Sequence, residues 1–293
     1  FLENNGQDIR IIYQGSNCWS SLKRAAGRIS YADDAITKRL EKGMSNLIHH
    51  NTASFLRFVE RFIAGEEIHK VEANKTYAIM LYYALFQDKL SKTGYNSINE
   101  ALELIYLPKY ACFKQEIAEI VSFLLARLDI KTTPIGAEII PGLELYGCYT
   151  REEVFTLVGR QTAEVKMQGT ASGAFNLPEH NAVLLFVTLN KSEKDFSPST
   201  QYNDYLINDE YFHWQSKNTD SHYNSGGRKY IEQPKTGIKI ILFVREEKKD
   251  GFGNTSPFHC FGLVDYVSSH DDFPMNVKWK LQKPAMAQYL KAI

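Results

Sequence analysis

Hydrophobic periodicity changes once along this chain, and the change falls at a break containing two prolines and two glycines, Lys131 to Gly142. Before the break, apolar residues recur at helical spacing. Residues 53–63 carry Phe55, Phe58, Val59, Phe62 and Ile63 on one stripe, and residues 76–86 form a second apolar helix. Ser97 followed by Glu100 is a capping box opening a third helix to about Leu107. A fourth, 113–128, has Ile117, Ile120, Val121, Leu124 and Leu125 as its stripe. After the break, Thr150 and Glu153 cap one short helix to about Val158, and strand patterns take over. Runs 182–189 and 239–245 are apolar and rich in β-branched residues, as strands buried on both faces require. Run 258–266 is a third strand, 276–281 alternates as a half-exposed one, and Gly251–Asn254 is turn chemistry between two of them. The pattern predicts an α+β chain of two domains: a helical connector over 1–135, and a domain over 142–293 built on a strongly curved, barrel-like mixed sheet.

Composition bounds the function. Among 293 residues, 34 Lys and Arg balance 34 Asp and Glu, which excludes a histone-like basic protein. Nucleic-acid binding stays open, because it depends on local charge. An aromatic fraction of 13% and a hydrophobic fraction of 44% exclude wholesale disorder. No run approaches the roughly 18 apolar residues of a membrane span, and no signal peptide is visible, so a cytoplasmic location without membrane contact is expected. The opening Phe1-Leu2-Glu3, lacking an initiator Met, suggests a piece of something longer. Cys18, Cys112, Cys148 and Cys260 have no CxxC spacing and read as reduced thiols.

Most catalytic signatures are missing. GxxxxGK[ST], HxK, HExxH and GxSxG do not occur, and the eight histidines show no paired metal-ligand spacing, so no metal and no catalytic residue is expected. Glu164-Val165-Lys166 matches the end of a metal-dependent nuclease motif, although a surface strand of alternating charge gives the same tripeptide. Gly169 to Gly173 reads as a loop, since no helix follows to make a phosphate cradle. His259, alone on a strand, reads as a packed residue.

The unusual region is Phe196 to Tyr230. It holds eight aromatics, Phe196, Tyr202, Tyr205, Tyr211, Phe212, Trp214, Tyr223 and Tyr230, interleaved with polar residues rather than aliphatics. Flat rings that stack on a base, beside amides and carboxylates that read its edge, are what a flipped-nucleotide pocket needs. Tyr202, Tyr205, Phe212 and Trp214 are the candidate rings, Asp204 the acceptor for a cytosine amino group, and Gln215 and Ser216 the assisting groups. The competing reading is a Tyr-rich loop over a β-core, with Trp214 as a core filler. Arg228, Lys229, Lys235, Lys239, Arg245, Lys248 and Lys249 lie near in sequence; Arg228, Lys229, Arg245, Lys248 and Lys249 are the candidate phosphate contacts. A second basic group, Lys23, Arg24, Arg28, Lys38, Arg39 and Lys42, reads better as a solvated or docking face.

The segments 187–198, Tyr202-Asn203-Asp204-Tyr205, Phe212-His213-Trp214-Gln215-Ser216 and Leu242-Phe243-Val244-Arg245 together resemble one family. It is the C-terminal domain that follows a superfamily-2 helicase motor in many bacterial proteins, some of which also carry an N-terminal phospholipase-D-like nuclease. Trp19 to Arg24 is similar to the segment after the motor. The best understood members are type IV restriction enzymes, whose C-terminal region resembles an SRA domain, a PUA-like fold that flips 5-methylcytosine into an aromatic pocket. The resemblance implies a double-stranded-DNA-binding module reading 5-methyl- or 5-hydroxymethylcytosine. It also implies nuclease and helicase domains elsewhere in the protein, with ATP and Mg serving the motor and no cofactor in this piece. One departure is Lys217, where the family usually has Gln. A metal-dependent nuclease and a protein-interaction module attached to a helicase are the alternatives.

Overall fold

The structure is a computed structural model that describes residues 8–128, 130–136, 139–167, 173–191 and 202–290. The chain divides into two compact units, Phe1–Thr132 with Cys148–Gly169 and Lys249–Asn254, and Thr133–Gly147 with Thr170–Lys248 and Thr255–Ile293.

The first unit is helical. Its helices are α1 (Trp19–Ala25), α2 (Ala35–Leu47), α3 (Ala53–Ile63), α4 (Lys75–Phe86), α5 (Leu90–Thr93), α6 (Ile98–Glu103), α7 (Ala111–Ala126) and α8 (Arg151–Leu157). Helix α4 is apolar on every side and accordingly central, with Ala78 and Met80 through Phe86 buried. It packs closely on α2: a Cβ on Gly43 would come within 2.9 Å of Leu85 Cα. Three starts are fixed by capping boxes, Cys18 with Ser21, Asp34 with Thr37, and Thr150 with Glu153. The fully buried Glu116 of α7 accepts from Trp19 N and Ser20 N at 2.6 and 2.7 Å, so a carboxylate satisfies the first amides of α1. Helix α2 has no counterpart in the sequence reading, where its Lys38, Arg39 and Lys42 stood only as a basic group.

The second unit holds the sheet. Thr133–Pro134 (β1) and Glu144–Leu145 (β2) form a small antiparallel ladder. The main strands are β3 (Ala174–Leu177), β4 (Ala182–Thr188), β5 (Tyr205–Leu206), β6 (Tyr211–Gln215), β7 (Lys239–Arg245), β8 (Phe258–His270) and β9 (Asn276–Leu281). They lie in the order β3-β4-β7-β8-β9-β6-β5. Strands β4 and β7 run parallel, and both are buried almost throughout. Where β7 and β8 slip register, Gly262 takes φ +77°, and a Cβ there would lie 2.8 Å from Leu145 Cδ1.

The fold is therefore α+β, with helices followed by a mixed sheet, but the expected barrel is not formed. The path ends in β3 and β5, strands of four and two residues that do not pair with each other, so the sheet stays open with short edges. Among the described residues no helix is long and apolar enough to cross a membrane.

Candidate functional site

Strand β6 explains where the expected pocket residues go. Side chains alternate across a strand, and Phe212 and Trp214 face inward while Tyr211, His213 and Gln215 face the other side. Phe212 is fully buried opposite Trp279, and Trp214 stands opposite Val277. Tyr205, on the outer face, stacks on His213 with centroids 4.6 Å apart and planes 14° apart. Tyr202 is half-buried beneath the ammonium of Lys191, 5.6 Å from the ring centre. The structure thus puts Phe212 and Trp214 on one face of the sheet and Tyr205 on the other. Phe196 and residues 169–172 of the expected loop lie outside the described residues.

Asp204 is buried and fully engaged. Its Oδ2 is 2.6 Å from Lys191 Nζ, itself 8% exposed in its side chain, and its Oδ1 accepts from Gln215 N at 2.8 Å. Burial pushes the Asp204 carboxyl above its ordinary range, against the pull of Lys191. Gln215 donates through Nε2 to Asn276 Oδ1 at 2.9 Å and accepts from Asn203 N at 2.7 Å. Ser216 Oγ accepts from Met275 N at 3.0 Å and donates to Lys217 O at 3.1 Å. These contacts pin the 202–204 segment and the 216–224 loop to the sheet, and each Asp204 oxygen already has a partner within the protein.

A different buried acid lies on that loop. Asp220 is 6% exposed, and its Oδ2 has no hydrogen-bond partner. The loop is held by Phe273 N donating to Asp220 O at 3.1 Å, and by Asn224, which caps helix α9 (Ser225–Ile231) through Gly227 N at 3.1 Å. A Cβ on Gly226 would lie 2.4 Å from Asp220 Oδ1, and Tyr230 follows one turn later on the same helix face. Tyr230 is completely buried and its hydroxyl is unpaired. Burial, with the Asp220 charge beside it, raises the Tyr230 phenol far above its usual range. Its ring meets Trp214 edge-on at 5.0 Å and Trp279 at 6.0 Å, and Trp279 Nε1 is also buried without a partner. Trp214, Tyr230 and Trp279 thus form an aromatic cluster carrying two unpaired donors, with an unpaired acceptor at Asp220. An unsatisfied buried polar group costs about 1–3 kcal/mol, so such a set calls for a partner. Sequence reasoning named Trp214 and Tyr230 among its aromatics but passed over Asp220 and Trp279, because an unpaired atom has no sequence signature.

Beside the cluster, Asn181, Tyr223, Ser225, Arg228, Lys229 and Thr236 line a cleft of about 500 Å³. Tyr223 is 87% exposed at its rim. Arg228 pairs with Glu232 at 2.5 Å, and Lys229 donates to Asn176 Oδ1 at 3.0 Å. Burial lowers the Lys229 ammonium from its usual value. The other expected phosphate contacts differ in setting. Arg245 is buried, donating through Nε to Thr188 Oγ1 and through Nη1 to Ser256 O, both at 2.9 Å. Its guanidinium lies over Phe258, 4.2 Å from the ring centre, so it holds strands together instead of facing a ligand. Lys248 is half-buried and Lys249 exposed.

Next to Asp220, His222 Nε2 is 2.8 Å from Ser269 Oγ and His222 Nδ1 is 2.9 Å from Asp272 Oδ1. This is the order of a nucleophile, base and orienting acid. Tyr266 OH occupies the other side of Ser269 Oγ at 2.8 Å, and His222 N donates to the same Asp272 oxygen, so the trio clamps the loop to β8. His259 is packed against Tyr289 OH at 2.6 Å, and burial lowers its pKa to about 4. In the helical unit, Glu164–Lys166 lies outside any strand, with the Lys166 ammonium bonded to Gln87 O, and His49, His50 and Glu153 converge on one point.

The chain belongs to the DUF3427 family, described as a domain of unknown function, which matches residues 143–292, just over half of its length. No curated protein matches the chain.

Proposed function

We propose that the sheet-bearing unit is a DNA-binding module that recognises a modified cytosine flipped from the duplex, serving a cytoplasmic, ATP-dependent type IV restriction enzyme whose motor uses ATP and Mg. The observation that carries this reading is the matched set of unpaired buried atoms around Trp214, Tyr230 and Trp279. The pairing edge of cytosine presents one donor, the amino group, and two acceptors, the ring nitrogen and the carbonyl. Asp220 Oδ2 offers the one acceptor, and Tyr230 OH and Trp279 Nε1 offer the two donors. Entry of the base opens the Trp214–Tyr230 edge contact, worth about 0.5–1.5 kcal/mol. Flipping costs a few kcal/mol more, and stacking returns about 1–3 kcal/mol. The three new hydrogen bonds must cover the difference, which makes the unpaired atoms decisive. Arg228 and Lys229, in the neighbouring cleft, take the backbone phosphates.

Fluorescence anisotropy with the full chain tests this reading. Without metal, a duplex carrying one 5-methyl- or 5-hydroxymethylcytosine should bind at least about tenfold more tightly than its unmodified twin, a gap of about 1.4 kcal/mol. Equal affinity for all three duplexes would contradict it.

A further inference from the structure

The turn between α2 and α3 carries two adjacent histidines whose rings stack 4.3 Å apart at 27°, bringing both Nε2 atoms toward the first turn of α8. There Glu153 waits, 104 residues along the chain from His49. Its Oε2 lies 3.1 Å from His49 Nε2, and its Oε1 lies 3.1 Å from His50 Nε2. Phe55 covers His50 at 4.3 Å, leaving the histidine 2% exposed. One further detail separates this cluster from an ordinary ion pair. Neither nitrogen of His50 makes a hydrogen bond, although Nε2 is close to a carboxylate oxygen. The imidazole is therefore buried, without a hydrogen bond, and directed at the same carboxylate as His49.

We propose that His49, His50 and Glu153 form a binding site for a divalent zinc-class cation. Metal bonds of about 2.0–2.2 Å in tetrahedral array put ligand atoms about 3.3 Å apart; each histidine Nε2 lies 3.1 Å from its own Glu153 oxygen, and one donor atom from each of the three residues lies within 4.8 Å of the other two. Two imidazoles and one carboxylate suit zinc and its first-row neighbours, whereas magnesium and calcium prefer oxygen alone. The fourth position goes to water or a small anion, reached past His49, whose side chain is 15% exposed. Glu153 is oriented from behind by its capping box, with Thr150 N donating to Oε2 at 2.7 Å, which is how outer contacts commonly fix a metal-binding carboxylate. A bound ion would clip the α2–α3 turn to α8 and so join two distant stretches of the helical unit.

Cobalt(II) is the probe, because a four-coordinate ion absorbs visibly while zinc is silent. The full chain, stripped with a chelator, should bind one Co2+ with a tetrahedral ligand-field spectrum, and one equivalent of Zn2+ should erase that spectrum and raise the melting temperature. His50→Gln should weaken binding by about 100-fold or more, beyond what loss of an outer contact usually costs. His49→Gln should do the same at a more exposed position, where folding tolerates change better; circular dichroism of the metal-free proteins verifies the fold. The proposal is overturned if wild type gives no tetrahedral spectrum, or if folded His49→Gln keeps wild-type affinity. The cluster would then be a hydrogen-bonded pair of histidines on a carboxylate.

Discussion

Two buried aspartates in the sheet-bearing unit sit sixteen positions apart in sequence and in opposite circumstances. Asp204 has a lysine on one oxygen and a backbone amide on the other. Asp220 has an oxygen with no partner, beside an aromatic cluster that carries two unpaired donors, Tyr230 OH and Trp279 Nε1. Both are acids among aromatic residues, and residue type alone favours neither. The difference teaches that a candidate binding group is recognised by what it lacks. A saturated buried acid maintains structure, and an unsaturated one has capacity for a ligand.

Lys191→Met should produce the largest effect on this contrast. It leaves the Asp204 carboxylate buried without its cation, and should cost about 3–5 kcal/mol at neutral pH by denaturant unfolding. The loss has a pH signature. The folded Asp204 pKa is already raised, and losing Lys191 raises it further. A group with a raised folded pKa loses stability as pH rises from the unfolded value, near 3.9 for Asp, through the folded one. The gap between wild type and variant should therefore narrow as pH falls toward 4. A gap that widens in acid would place the ion pair on the wrong side of the comparison.

Gly227→Ala should come next. Its Cβ would fall 2.1 Å from Ser221 O and 2.3 Å from Met275 Sδ, so the Asp220 loop and α9 must part. Overpacking of this kind costs about 1–3 kcal/mol, and thermal melting reads it directly. Melting unchanged from wild type would show that the loop is not held as tightly as the site requires.

Asp220→Asn should change stability by less than about 1 kcal/mol, because no protein contact of Oδ2 is lost. Smaller still is the effect of Arg228→Ala on folding, since its pair with Glu232 is exposed. Its effect should appear in DNA binding as a slope against log salt reduced by about 1, equally for all sequences. A changed base preference at unaltered slope would make Arg228 a base reader.

Much of the frame was legible in the sequence, and for identifiable reasons. Helices α3, α4, α7 and α8 announce themselves through a stripe or a cap, and β4 and β7 through unbroken apolar runs. Helix α2 was hidden because its buried Leu40, Met44 and Leu47 alternate with charges. Strand β6 carries the period of two in Phe212 and Trp214, a pattern that reads equally as aromatic residues in a polar loop. The open sheet edge was beyond sequence reasoning, since strand order is set by pairing between distant segments. Of the candidate site, the aromatic region was visible, but Lys191 on Asp204 and the missing partner of Asp220 are relations in space. The same holds for His49, His50 and Glu153: two adjacent histidines and a capping glutamate carry no spacing signal until the helices pack.

The most direct test measures the affinity ratio for modified over unmodified duplex in the wild-type chain and in Asp220→Asn, with thermal melting as a control. Replacing one acceptor oxygen by a donor that faces the cytosine amino group should remove most of the preference, about 1–3 kcal/mol. Weak non-specific binding and the melting temperature should stay as in wild type. Retention of the wild-type ratio by folded Asp220→Asn would contradict the account, because the unpaired acid would then have no part in reading the base.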